Sequence, residues 1–234
     1  MLLECNPVGD WQADLSLMTP WILQRYPKWK TWPPGHCYPR EYAWVLQQLG
    51  DVKGHRILDA GGGGSVLSAV LSDKGVKEIV VADHDPNPYT RNRVTCHPCD
   101  IQDTQLEDAS FDTVVSVSAI EHNPWDKQVA IIRHLLGLVR PGQTLLVTLP
   151  AVPTDQRAWH ENYRGWGCVY FWTHAAAREM CQAVSDLATL DVPLLPDADY
   201  DAEWQRIQGD VLRATTVPWK YPYQSMVLKW RRSP

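Results

Sequence analysis

Between about residue 39 and residue 150 the apolar positions of the chain alternate between two spacings. Short apolar runs read as buried strands: "HRILDA" ending at Ala60, "EIVVAD" ending at Asp83, "FDTVVSVS" starting at Phe111 and "QTLLVTLP" ending at Pro150. "RVTCHPC" is a weaker strand, because Pro98 confines it to an edge or an end. Helical segments lie between them. "PREYAWVLQQLG" (Pro39 to Gly50) has an early proline and a terminal glycine, and "SVLSAVLSDKG" stops at Gly75. "WDKQVAIIRHLLGLVRPG" spaces Val129, Ile132, Leu135, Leu136 and Val139 at helical intervals before a Pro-Gly stop. Strands alternating with helices predict a parallel sheet covered on both faces. Past Pro150 the pattern changes. "THAAAREMCQAVSD" predicts a helix capped by Thr173, and "LATLDV" and "YQSMVLKW" predict two late strands. Residues 1–38, rich in Pro and Trp, lack periodicity and read as an arm or cap. The expected organisation is an arm over 1–38 and one domain over 39–234, with acceptor-binding elements within 151–222.

Composition narrows the function classes. Lys plus Arg is 22 against 27 Asp plus Glu, a net charge of −5 that argues against a broad nucleic-acid surface. No apolar run approaches the roughly 18 residues of a membrane span, and the first residues lack the basic start of a signal peptide. A soluble cytoplasmic protein is expected. Of six cysteines, only Cys96 and Cys99 in "CHPC" have metal-like spacing, and no second pair completes a structural zinc site. Reduced structural thiols and no metal are expected. Twelve tryptophans against two phenylalanines fit either a cap packed onto the sheet or an aromatic-lined pocket.

The chemistry is concentrated at "ILDAGGGGS", Ile57 to Ser65. Glycines at the first strand–turn–helix crossover let backbone approach a nucleotide-like ligand. A dinucleotide site needs G-x-G-x-x-G; Gly61 and Gly63 supply two glycines, but Val66 stands at the third position. Asp59 at the strand end would repel a pyrophosphate, and it suits a ligand carrying an amine.

On these residues the sequence resembles the class I S-adenosylmethionine-dependent methyltransferases, in particular the small-molecule methyltransferases. The first family motif reads Asp59-Ala60-Gly61-Gly62-Gly63-Gly64-Ser65, with Ser65 replacing the last glycine. "VVADHDP", "CDIQD", "FDTVVSVSAIEHNP" and "LVRPGQTLLVTLP" resemble later motifs in order, and the likeness covers roughly residues 39–150. It implies a Rossmann-like α/β fold: a mostly parallel seven-stranded sheet with helices on both faces and an N-terminal helical cap. It also implies S-adenosylmethionine as cofactor, held by Asp59, Gly61, Gly62 and Gly63. Asp83 would accept the ribose hydroxyls, His84 touch the adenosine, Asp100 meet the adenine amine and Ile101 the ring. Ser118 and Glu121, after the fourth strand, would complete the cofactor site.

Methyl transfer is an in-line displacement, so the protein mainly orients the nucleophile and excludes water. A base is needed only where the nucleophile must lose a proton. His122, just past the fourth strand, and His160, after the fifth, are the candidates. The stretch from Trp159 to Trp172 follows the sheet edge where α/β folds bind ligands, and aromatic walls with a few polar groups build small-molecule pockets. Trp159, Tyr163 and Trp166 are expected on one wall, and Trp32, Tyr38 and Arg40 on a lid opposite. "NPW" at Asn123 has one proline and lies too far along for the base-amino methyltransferase motif. "PC" at Pro98 precedes the wrong strand for a cytosine-C5 nucleophile. The expected activity is methyl transfer to O or N of a small molecule, a sugar or secondary metabolite, with oligomeric state unread. Peptide or protein methylation, a non-catalytic S-adenosylmethionine-binding subunit and a nicotinamide-dependent oxidoreductase are the alternatives. Asp59, Asp83 and Asp100 speak against decay of the site; Asp59 and Val66 speak against nicotinamide.

Overall fold

The computed structural model describes residues 37–63, 67–84, 93–152, 159–161, 167–191, 194, 196, 199–202, 204–205 and 224–234. Helix α1 spans Cys37–Leu49 and ends at Gly50, whose φ of +59° is a left-handed conformation that glycine adopts without strain. Strand β1 is Arg56–Ala60, α2 Leu67–Asp73, β2 Glu78–Asp83, β3 Val94–Pro98 and β4 Phe111–Val117. A 3-10 turn at Ile120–His122 leads into α3, Trp125–Leu138, and β5, Val139–Ala151. A short hairpin, β6 (Trp159–His160) and β7 (Val169–Tyr170), precedes α4, His174–Ala183, then β8, Ala188–Leu190, and β9, Gln224–Arg232.

Seven strands form one sheet in the order β3-β2-β1-β4-β5-β9-β8. The first five run parallel; β9 is antiparallel to both of its neighbours. Both faces are covered, which is why the strands read as continuous apolar runs rather than alternating ones. Side chains still alternate between faces. Ile57, Ile79, Val81 and Val115 pack with Tyr42, Trp44 and Val45 of α1 and Leu67, Val70 and Leu71 of α2. Leu58, Val80, Val114 and Leu145 pack on the other face with Ile131, Ile132, Leu135 and Leu136 of α3 and Ala176, Ala177 and Met180 of α4. Trp230 of β9, fully buried opposite Leu145, fills the far side of that second layer.

The structure adjusts one expectation. Val139, in phase with the helix above, is the first residue of β5: it turns to φ −71°, ψ 138°, and the helix ends at Leu138. Pro141 forces this, because a helix is disfavoured just ahead of a proline. The N-terminal arm, and Trp32 within it, lie outside the described residues, as does the Ser65 position before α2. Thr173 caps α4 as expected, its Oγ1 accepting the Ala176 amide at 3.1 Å. β3, carrying Pro98, sits at the sheet edge.

Because β1 to β5 are parallel, their carboxyl ends gather at one edge. Gly61, His84, Cys99, Ser118 and Val152 follow those ends directly, and Asp83 is the last residue of β2.

Candidate active site

The glycines after β1 have specific reasons to be glycine. Gly61 has φ +75°, and its amide donates to the Ala82 carbonyl at 2.7 Å, tying the crossover to β2. A Cβ there would stand 2.3 Å from the Ala119 methyl, and one on Gly62 would stand 2.6 Å from Asp59 Cγ. Gly63 lies against the Asp83 carboxylate, where a Cβ would come within 3.1 Å of Oδ2. A bare strip of backbone therefore runs from Asp59 to Asp83. Asp59 is 2% exposed, and its Oδ2 accepts the Ser68 hydroxyl of α2 at 2.7 Å.

Beside this strip lies the turn after β3. The Cys99 amide donates to the Asp83 carbonyl at 2.9 Å. Asp100 Oδ1 accepts the Gln102 amide at 2.9 Å, closing a tight turn that buries Ile101 next to Gly61. Two histidines brace it. His97 Nε2–H donates to the Thr104 carbonyl at 2.7 Å, and His134 Nε2 accepts from the Thr104 amide at 3.2 Å and its hydroxyl at 2.9 Å. His84 is exposed at the end of β2.

On the other side of β1, the backbone after β4 is strained. Ser118 has φ +46°, a conformation that is uncommon without glycine, and hydrogen bonds from its amide and its hydroxyl hold it. Its amide donates to the Thr148 carbonyl at 3.1 Å, and its hydroxyl donates to Glu41 of α1, 2.9 and 3.0 Å from the two carboxylate oxygens. Glu41 is 0% exposed and Glu121 4%. Burial pushes the Glu121 carboxyl well above the ordinary glutamate range, and the nearby Glu41 charge adds to the shift. Glu121 Oε2 is buried without a hydrogen-bond partner. Glu41 was absent from the sequence-derived candidates.

His122 ends the 3-10 turn and is exposed. Its Nδ1 lies 2.7 Å from the Cys168 carbonyl, in the β6–β7 connection just before β7. A carbonyl only accepts, so Nδ1 carries the proton and the neutral ring keeps its lone pair on Nε2. In the hairpin Trp159 pairs with Tyr170 and His160 with Val169, while Trp172 bridges to Ala151 of β5. Trp125, half-buried at the start of α3, packs on Tyr170 (5.5 Å between centroids) and edge-on to Trp172 (5.3 Å). Trp172 Nε1 donates to Gln128 Oε1 at 2.7 Å. An aromatic bank thus flanks His122, with Trp125 as a member that sequence reasoning missed. Tyr38 and Arg40 lie in the first turn of α1; Tyr163 and Trp166 lie outside the described residues. Cys96, Cys99, Cys168 and Cys181 are in no disulfide; burial raises the Cys181 thiol to about 11 and also raises that of Cys99.

The strip of bare backbone, the acidic side chains spaced along it and the orphaned Glu121 oxygen suit a ligand that is elongated, phosphate-free and positively charged at one end. S-adenosylmethionine is of that kind. The family model described as "Methyltransferase domain" matches residues 35–192, well over half of the chain. The chain belongs to this family. Sheet order and first crossover agree with it, and the protein is a class I S-adenosylmethionine-dependent methyltransferase.

A search of curated proteins gives no match to the methyltransferase. Solved structures match its fold. The 1,6-didemethyltoxoflavin-N1-methyltransferase of Burkholderia thailandensis, with 1,6-didemethyltoxoflavin and S-adenosylhomocysteine bound, is 15% identical at TM-score 0.60, covering 97% of this chain and 92% of that one. Magnesium protoporphyrin IX methyltransferase of Synechocystis PCC 6803, with S-adenosylmethionine bound, is 17% identical at TM-score 0.53, covering 97% and 98%. An S-adenosylmethionine-dependent methyltransferase of Mesorhizobium loti is 14% identical at TM-score 0.55, covering 82% and 98%. Among the described residues, no helix is long and apolar enough to cross a membrane.

Proposed function

We propose that the methyltransferase transfers its methyl group to O or N of a small-molecule acceptor, a secondary metabolite or sugar, with His122 Nε2 taking the acceptor's proton. The observation that carries this reading is the bond from His122 Nδ1 to the Cys168 carbonyl. It fixes the tautomer in which Nε2 is free to accept, at the end of β4. The acceptors named for the Burkholderia and Synechocystis proteins are small molecules, which supports the same class here.

In this reading Gly61, Gly62 and Gly63 bear the cofactor on bare backbone, and Asp59 is braced by Ser68 to hold that backbone in place. Asp83 accepts the ribose hydroxyls, with His84 beside the adenosine. Asp100 and Ile101 take the adenine, while Ser118 and Glu121 close the methionyl end. The bound cofactor supplies a methyl carbon already activated by its sulfonium. What remains for the protein is alignment, exclusion of water and, for a hydroxyl acceptor, a base. The hairpin with Trp159 and His160 forms the acceptor wall, continued by Tyr163 and Trp166. Trp125 and Tyr170 back it, and Trp32 of the arm together with Tyr38 and Arg40 of the first turn of α1 is the proposed lid. His160 is the second candidate base. The domain assignment follows: an arm over 1–38, a catalytic domain over 39–234 and acceptor elements within 151–222, in a cytoplasmic protein.

His122→Asn tests the base. Asparagine can keep the amide-like donor to the Cys168 carbonyl but offers no lone pair at the Nε2 position. Turnover on a hydroxyl acceptor should fall about 10²- to 10⁴-fold. Cofactor affinity, measured by calorimetry, should stay near wild type. Undiminished turnover would remove His122 from the reaction.

A further inference from the structure

We propose that Glu41 and Glu121 together form the receptor for the α-ammonium group of S-adenosylmethionine, an assignment that rests on the cofactor reading above and adds a residue from α1 to it. Glu41 is wholly buried on a helix that otherwise presents Tyr42, Trp44 and Val45 to the core. The Ser118 hydroxyl aims its carboxylate at the end of β4. Glu121 comes from the next turn of chain, and its Oε2 is buried with no partner.

A carboxylate at Glu121, out of water with Oε2 unpartnered and Glu41 beside it, is costly, and removing a charge from water is recovered only when an opposite charge with good hydrogen-bond geometry joins it. An ammonium supplies that: one positive charge and three N–H donors. Left without one, the burial of Glu121 favours its protonated form. The position identifies which end of the cofactor enters. With Asp83 at the end of β2 taking the ribose and Ile101 after β3 taking the adenine, the ligand crosses the sheet edge along the order β3-β2-β1-β4. Its amino-acid end then lies over β1 and β4, where Ala119 presses against Gly61. Asp59 is a weaker receptor. Ser68 holds one of its oxygens, and Gly62 lies directly against the carboxylate.

The test compares two probes on the full chain: S-adenosylhomocysteine, which carries the ammonium, and 5′-methylthioadenosine, which has no amino-acid portion. Glu41→Gln and Glu121→Gln should each weaken S-adenosylhomocysteine roughly 10- to 100-fold, the loss of a charge-assisted bond. Binding of 5′-methylthioadenosine, followed by calorimetry up to millimolar concentration, should be nearly unchanged. Without ligand both variants should melt no lower than wild type, since a neutral amide of the same shape replaces a crowded carboxylate. Equal losses for both probes, or a fall in the ligand-free melting temperature with them, would make the pair structural and overturn the proposal. Unchanged affinity for both probes would overturn it as well. Wild-type protein that binds neither probe would fail the cofactor reading itself, a result distinct from these.

Discussion

A carboxylate at the tip of a strand is worth most when it grips a ligand that water would otherwise hold. Asp83→Ala should weaken S-adenosylhomocysteine by about 1–3 kcal/mol, the range for charge-assisted hydrogen bonds; calorimetry showing full affinity in the folded variant would cancel the ribose assignment. Glu121 offers a pH signature. Its native carboxyl titrates well above the ordinary glutamate value of 4.5 because it is buried, with Glu41 adding repulsion. The native state therefore keeps a proton that the unfolded chain has already released. That contribution to stability is full below the unfolded value, shrinks as the pH climbs and is gone above the native value. As the pH climbs through the unfolded value toward the raised native one, the melting temperature of ligand-free Glu121→Gln should thus rise relative to wild type. A difference independent of pH would show that Glu121 does not hold the proton. The places of Asp59 and Asp83 at the carboxyl ends of β1 and β2 were legible in the sequence because each comes at the end of an apolar strand run. Glu41 was not, because next to Arg40 it reads as a solvated helix face. Its signal was phase: Trp44 and Val45 follow at three and four residues, on the buried stripe.

Elements were legible where local chemistry decides them. Thr173 is the clearest case, and removing its cap bond to Ala176 in Thr173→Ala should cost about 0.5–2 kcal/mol of stability. Chemical denaturation that finds no loss would mean that α4 is held by packing alone. Where the decision is shared between elements, the sequence misleads. Val139 continues the apolar spacing of α3, yet its backbone belongs to β5, because apolar periodicity persists across a boundary that only Pro141 marks. The β6–β7 hairpin is a further example. Its two-residue strands carry no period to count, and the partnership of His122 with Cys168 joins segments 46 residues apart. Trp125 was overlooked for a similar reason, since nothing local announces that it will meet Tyr170 and Trp172.

The molecule as a whole should report its cofactor through its own stability. S-adenosylhomocysteine at about 100 times its dissociation constant should add about 2.7 kcal/mol, whereas NAD should add much less. A larger melting shift with NAD would reverse the choice of ligand. The parallel half of the sheet followed from the alternation of strands and helices. The placement of β9 did not, because pairing order between distant strands leaves no trace in local pattern. That placement bears on how the protein is made. While the chain is being synthesised, β1 to β5 can assemble as they emerge, but β5 then presents an open edge from Thr144 to Ala151. β8 does not close it: among the described residues β8 pairs with β9 alone, and β9 comes last. Throughout translation of residues 191–223 the nascent domain therefore carries an unpaired, apolar strand, the kind of edge on which chains join one another. A polypeptide stalled before Gln224 would be the form most in need of a chaperone.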